Sequence, residues 1–108
     1  MIDFGRRAFV AAAAAASAPL KHADVKPTTI AYGTMPEQVG DLYLPHGDLA
    51  HRTPVVALLH GGFWQAPYTR DLMHPLAQDL CRSGVAVWNL EYRRCGAGGG
   101  FPTTLMDV

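Results

Sequence analysis

The sequence has little of several features that would place a protein in a specialised class. Two cysteines among 108 residues, Cys81 and Cys95, are too few for a disulfide framework. They could form one bridge in an oxidising compartment, although a buried thiol on a helix is the simpler interpretation of Cys81. The formal net charge is zero and basic residues cluster no further than pairs, so the charge pattern gives no indication of nucleic-acid binding.

Long apolar runs and cofactor motifs are also missing. The longest apolar stretch, residues 8–20, is too short and too rich in alanine to span a bilayer, so we expect no membrane span. The five histidines show no i, i+4 pairing and no H-E-x-x-H motif. The glycine-rich segment 96–100 fails the G-x-G-x-x-G spacing because Phe101 occupies the third glycine position. The sequence therefore predicts no metal and no cofactor, and it does not indicate an oligomeric state.

The composition, with 49% hydrophobic and 17% charged residues, is typical of one globular domain. We divide the chain into residues 1–23, a linker at 24–27 and a domain at 28–108. Residues 1–23 carry Arg6-Arg7 before the alanine-rich stretch, a pattern similar to a twin-arginine export signal. That interpretation places the protein in the periplasm or outside the cell. The alternative is an N-terminal extension on a cytoplasmic protein.

The pattern of residues 28–108 predicts an α/β fold. Residues 28–32 and 41–44 read as two short antiparallel strands at a sheet edge. Residues 55–59 and 85–90 are apolar without alternation, as in parallel strands covered on both faces. Between them, 71–82 has helical periodicity, with the regular helix beginning near Pro75 and stopping at Gly84. The last three elements form a parallel βαβ unit, and Thr103 or Thr104 could cap a further helix.

The segment with the clearest chemistry is the run HGGFW at 60–64, directly after a buried strand. Acyl transfer builds negative charge on a carbonyl oxygen, which must meet hydrogen-bond donors already in position. Backbone N–H groups can supply them where glycines let the chain turn sharply. Taken alone, the run is also compatible with a simple glycine turn after a strand.

Four segments together resemble one superfamily. HGGFW at 60–64 is similar to the motif of the kynurenine formamidase, carboxylesterase and BD-FAE-like branches of the α/β-hydrolases. DLYLP at 41–45 resembles the strand that precedes it there, NLEYR at 89–93 resembles the end of the next strand, and FP at 101–102 with DV at 107–108 resembles the following helix. The order is the expected one over residues 30–108.

The resemblance implies a role for each residue of the motif. The N–H groups of Gly62 and Phe63 would face the oxyanion, and Gly61 would permit its close approach. His60 would support the loop rather than act as a base. Phe63 and Trp64 would line the acyl or leaving-group pocket, and Tyr92 would lie near the site or support it. The implied substrate is a small-molecule carboxylic ester or aryl formamide.

The catalytic residues of that superfamily have no counterpart here. No G-x-S-x-G occurs, and the two serines, Ser17 and Ser83, have other contexts. The serine, acid and histidine would all follow Val108, which predicts a truncated α/β-hydrolase domain that is inactive and poorly soluble alone. We expect structural rather than catalytic roles for Asp41 and Asp107. Cys95 is not expected to be a nucleophile, because no base that could activate it is identifiable. The alternatives to a serine-type esterase or formamidase are a non-catalytic fragment, a ligand-binding remnant, and a peptidase of the same superfamily.

Overall fold

The computed structural model of the protein describes residues 23–47 and 52–108, so the predicted export signal falls almost wholly outside the described residues. The elements are β1 Thr28–Ala31, β2 Val39–Tyr43, β3 Val55–Leu59, a 3₁₀ helix Arg70–Met73, α1 His74–Arg82, β4 Ala86–Leu90 and α2 Thr103–Asp107. The chain has mixed α/β content, built around a single four-stranded mixed sheet with few helices.

The sheet has the order β1-β2-β4-β3. The predicted antiparallel pairing of β1 with β2 is confirmed, with Ile30 opposite Gly40. The prediction that both strands lie at a sheet edge is wrong for β2, which also pairs antiparallel with β4. The physical reason is that β4 has two free edges, and β3 occupies only one of them. Only β1 and β3 are edge strands of the described sheet.

Strand β3 pairs in parallel with β4, as the βαβ pattern predicts, with Leu59 opposite Leu90. The prediction that β3 is covered on both faces is wrong for the described residues. Val55 is 63% exposed and Leu59 is 46% exposed, whereas Leu58 is buried. Alternate side chains point to opposite faces of a strand, so helix α1 covers one face of β3 and no described element covers the other.

Helix α1 packs on the sheet through two small residues one turn apart. Ala77 and Cys81 are buried against the sheet, together with Val87 of β4. The helix begins where the sequence predicts, with Pro75 in its first turn, where the missing N–H costs no hydrogen bond. It ends in a Schellman arrangement at Gly84, whose φ is 92°: the Gly84 N–H bonds the Cys81 carbonyl, and the next N–H bonds the Leu80 carbonyl.

Two segments differ from their predicted roles. Neither threonine caps α2, because the residue before the helix is Pro102 and no side chain bonds the helix end. The Thr104 hydroxyl instead donates to the Arg93 carbonyl and accepts from the Gly100 N–H. Within the 24–27 segment, Val25 is buried, and its backbone exchanges two hydrogen bonds with the Gln78 side chain of α1. That segment therefore contributes to the core.

Cys81 and Cys95 are both free thiols, and Cys81 is buried on α1. Burial raises the pKa of the Cys81 thiol. Among the described residues, no helix is both long and apolar enough to cross a membrane.

Candidate functional site

A turn with unusual backbone conformation follows β3 directly. Gly62, Phe63 and Trp64 have φ values of 115°, 54° and 63°, all in the left-handed region. Glycine adopts this region freely, but bulky side chains there cost of order 1–3 kcal/mol each, and such conformations concentrate at functional sites. We call these three residues the 62–64 turn. Two strained aromatic residues in succession indicate that the surrounding structure holds the turn in place.

The close approach in this turn occurs at Gly62. A Cβ atom there would lie 2.3 Å from the Cβ of Tyr68, so only glycine fits. A Cβ at Gly61 would meet no atom within 4 Å. Gly62 is therefore the sterically required glycine of the turn, whereas the role that the resemblance gives to Gly61, the close approach of an oxyanion, stays a prediction.

The N–H groups of the turn are available as donors. Among the described residues, no acceptor bonds the N–H of Gly62, Phe63 or Trp64. The carbonyls of the turn are used instead, with the Gly62 oxygen accepting from Gln65 N and the Trp64 oxygen from Cys95 N. Successive N–H groups in a left-handed turn can form a concave anion site. Phe63 itself is 90% exposed.

His60 lies beneath the turn and is 3% exposed. Its Nε2 atom is 2.6 Å from Glu91 Oε1, and its Nδ1 atom is 2.9 Å from the Gly61 carbonyl oxygen. Its ring stacks on Tyr92, with centroids 4.3 Å apart and planes 6° apart. Because both ring nitrogens face protein oxygens, neither is open toward a substrate. The geometry is that of a support for the loop.

Glu91 is the centre of a buried polar network that we define as His60, Glu91, Tyr92, Arg70 and Arg94. It immediately follows β4 and is 2% exposed. One carboxylate oxygen faces His60 and accepts from Tyr92 N at 3.2 Å, with Arg94 Nε 3.5 Å away. The other accepts from Arg70 N at 2.9 Å. The buried carboxylate is thus partnered on both oxygens, as a buried charge must be.

The phenol of Tyr92 connects this network to the turn. Its hydroxyl donates to the His60 carbonyl at 2.6 Å, and its ring lies 5.4 Å from that of Trp64. Burial, and secondly the Glu91 carboxylate, raise the pKa of Tyr92, so the hydroxyl keeps its proton and remains a donor. Tyr92 is itself 1% exposed.

Arg94 holds the far side of the loop. Its guanidinium donates to the carbonyl oxygens of Ala66 and Tyr68, the latter at 2.8 Å. The neighbouring Cys95 pairs with the chain at Gln65, where its carbonyl accepts from Ala66 N at 3.0 Å. The loop after β3 is therefore fixed to the loop after β4 at several points.

An apolar cavity adjoins the 62–64 turn, with a volume of about 290 Å³. Its lining residues are Trp64, Cys95, Gly100, Phe101, Thr104 and Leu105. Trp64 belongs to both the turn and the cavity wall, so the two features share one edge.

The residues singled out in the sequence come together, at different depths. His60 and Tyr92 are buried below the loop, whereas Phe63 and Trp64 are exposed on it. Their contact with a substrate stays a prediction. Sequence reasoning missed the roles of Arg70, Arg94 and Glu91. The available signal was Glu91 itself, since a carboxylate at the end of a buried strand needs partners.

The remaining candidates take structural positions. Asp41 pairs with Arg70 at 2.8 Å and accepts from Thr29 at 2.6 Å. Asp107 receives hydrogen bonds from Arg93, which lower its pKa to about 2 despite the opposing effect of burial. Within residues 23–47 and 52–108, no three histidine, cysteine or acidic side chains are grouped so that they could hold a metal ion.

Comparison of the chain with protein-family models, with curated proteins and with solved structures gave no significant match.

Proposed function

We propose that this chain supplies the oxyanion-binding loop of a serine-type hydrolase acting on carboxylic esters or aryl formamides, within an α/β-hydrolase fold. The observation that carries the proposal is the 62–64 turn. It lies at the carboxyl end of a parallel strand, and its N–H groups have no acceptor among the described residues. Open α/β sheets bind ligands at this end of their strands.

The chemistry follows from the position of the donors. When a nucleophile attacks an ester or formamide carbonyl, the oxygen becomes anionic. Donors that are already fixed stabilise this charge without reorganising. The Gly62 and Phe63 N–H groups are the donors we assign, and the buried network beneath them supplies the rigidity. Phe63 and Trp64 would contact the acyl or leaving group, with His60 and Tyr92 as supports behind them.

The nucleophile is not among residues 1–108, because no G-x-S-x-G occurs there. The decisive experiment is to sequence the coding DNA past codon 108. We expect a G-x-S-x-G segment in the next strand–turn–helix, and the product that includes it should hydrolyse an aryl ester or an aryl formamide. A stop codon directly after codon 108 would contradict the enzyme and favour a non-catalytic or ligand-binding fragment.

The role of the loop is tested in that product by two matched variants. Removing one oxyanion donor typically lowers kcat by about 10²–10³. We expect a loss of this order for Gly62→Ala, which must displace the turn from Tyr68. We expect little change for Gly47→Ala, which has the same φ of 115° but lies outside the site, where an added Cβ meets no atom within 4 Å. Equal activity of the two variants would sink the assignment. The 108-residue chain alone should show no hydrolysis above the buffer rate.

A further inference from the structure

The apolar cavity beside the 62–64 turn is a candidate binding pocket. Its lining includes the large apolar residues Trp64, Phe101 and Leu105, together with Cys95. Trp64 directly follows Phe63, whose N–H is one of the unpaired donors. The cavity and the unpaired donors are therefore neighbours through Trp64.

The lining of the cavity offers no charge to a ligand. None of its six residues is ionic, and the Thr104 hydroxyl is already bonded to the Arg93 carbonyl and the Gly100 N–H. The nearby cations are also engaged, since Arg94 binds backbone carbonyls and Arg93 pairs with Asp107. A ligand carboxylate would therefore gain no ionic partner from the lining, whereas an uncharged group would bury apolar surface.

The volume of the cavity is sufficient for a small apolar group. An apolar cavity of about 150 Å³ is enough to bind benzene in another protein. The volume of about 290 Å³ here therefore accommodates one aromatic ring with a short substituent, or a branched aliphatic chain of similar bulk.

We propose that this pocket binds an uncharged aromatic or branched aliphatic group and selects against an anionic group of the same size. The inference rests on the proposed function for its meaning in catalysis, where the group is the acyl or aryl part of the substrate. Binding to the pocket is nevertheless measurable without any hydrolysis.

The first test compares toluene with benzoate, which share a ring and differ in charge. The two tryptophans serve as reporters, since Trp64 lines the pocket whereas Trp88 lies on the sheet over Gly40. In nuclear magnetic resonance titrations we expect toluene to shift the Trp64 indole N–H signal and leave Trp88 unchanged. Benzoate should bind at least tenfold more weakly. Equal binding of the two compounds, or shifts at Trp88 alone, would overturn the proposal.

A charge-introducing variant tests the selectivity. Leu105 is in the wall and is 58% exposed, so Leu105→Lys should fold. It should weaken toluene binding at least fivefold and strengthen benzoate binding. The matched control is Leu76→Lys on α1, also exposed at 44% and outside the cavity lining, which should change neither affinity. Identical behaviour of the two variants would contradict the pocket.

The third test works at concentrations too low for association. In a Cys81→Ser background, labelling of Cys95 by N-ethylmaleimide is followed by mass spectrometry. We expect saturating toluene to slow the labelling at least fivefold and benzoate at the same concentration to have little effect. No protection by toluene would overturn the pocket even if the full enzyme proves active. If the gene ends at codon 108 and toluene still protects Cys95, the pocket proposal is supported and the hydrolase proposal is contradicted.

Discussion

The core beneath α1 and the support beneath the 62–64 turn are stabilised in different ways. Beneath α1 the core is apolar, with Tyr43, Leu58, Ala77 and Val87 in one buried cluster. Beneath the 62–64 turn the support is polar, with Glu91 joined to His60 and flanked by Arg70 and Arg94. Apolar packing tolerates substitution of similar volume, whereas a buried charge depends on its partners. The turn is therefore held by hydrogen bonds and ion pairs of defined geometry, whereas the helix is held by apolar packing.

The largest effect should come from removing the centre of the polar network. Glu91→Ala removes the buried carboxylate that pairs with His60 Nε2, accepts from Arg70 N, and lies 3.5 and 3.7 Å from the Arg94 and Arg70 guanidinium groups. Breaking a buried pair in this way costs about 3–5 kcal/mol. Urea unfolding at low protein concentration measures this loss. The control is Asp24→Ala, which breaks the exposed pair with Arg82 and should cost less than about 1 kcal/mol. Similar losses for both variants would erase the distinction between the two kinds of ion pair.

Removing apolar volume should have a smaller effect than removing Glu91. Leu58→Ala empties part of the core beneath α1, and we expect about 2–3 kcal/mol because the strand lies at an edge and can relax. Its neighbour Leu59 points to the uncovered face and is 46% exposed, so Leu59→Ala should stay within about 0.5 kcal/mol. A loss at Leu59 as large as that at Leu58 would mean that the second face is covered.

The backbone of the turn is tested by adding one methyl group. Gly62→Ala places a Cβ against Tyr68 at a φ of 115°, and we expect a loss of about 1–3 kcal/mol with a shifted Trp64 indole signal. Gly61→Ala should leave both unchanged because its Cβ meets open space. An unshifted Trp64 signal in Gly62→Ala would show that the turn does not depend on glycine at that position.

The smallest expected effect is on the pH dependence of stability. Hydrogen bonds from Arg93 lower the pKa of Asp107 to about 2, below the usual value of 3.8. This ion pair therefore stabilises the folded state above about pH 4, and the stabilisation is lost as the pH falls through about 2. In Asp107→Asn the free energy of unfolding should change less between pH 4 and pH 2, while Asp79→Asn on the exposed side of α1 should retain the dependence. A larger change in the free energy of unfolding between pH 4 and pH 2 in Asp107→Asn would contradict a stabilising contribution from the ionised Asp107.

The predicted order of strands and helix was available from the sequence because it depends on local patterns. Pro75 and Gly84 fix where α1 begins and ends through backbone geometry alone. The parallel pairing of β3 with β4 follows from the helix between them. The internal position of β2 was not readable, since both antiparallel strands are short and neither carries a pattern that tells edge from interior.

The candidate site divides in the same way. The HGGFW run indicated a sharp turn, because adjacent glycines can adopt the left-handed backbone conformations that such a turn requires. It did not indicate which of the two glycines must lack a side chain, because that depends on contact with Tyr68, six residues beyond Gly62. The apolar cavity could not be predicted from the sequence either, because Trp64 and Leu105 are brought together only by the packing of α2.

The sequence by itself determined the α/β pattern, the limits of α1 and the presence of a glycine turn, because each depends on the conformational preferences of neighbouring residues. Only the tertiary structure decided that Glu91 partners His60, Arg70 and Arg94, that Gly62 rather than Gly61 is the sterically required glycine, and that β3 is open on one face. These features depend on which side chains the fold brings into contact, whether near in the chain, as Gly62 and Tyr68 are, or distant, as His60 and Glu91 are. The energy of such contacts is set by burial and distance.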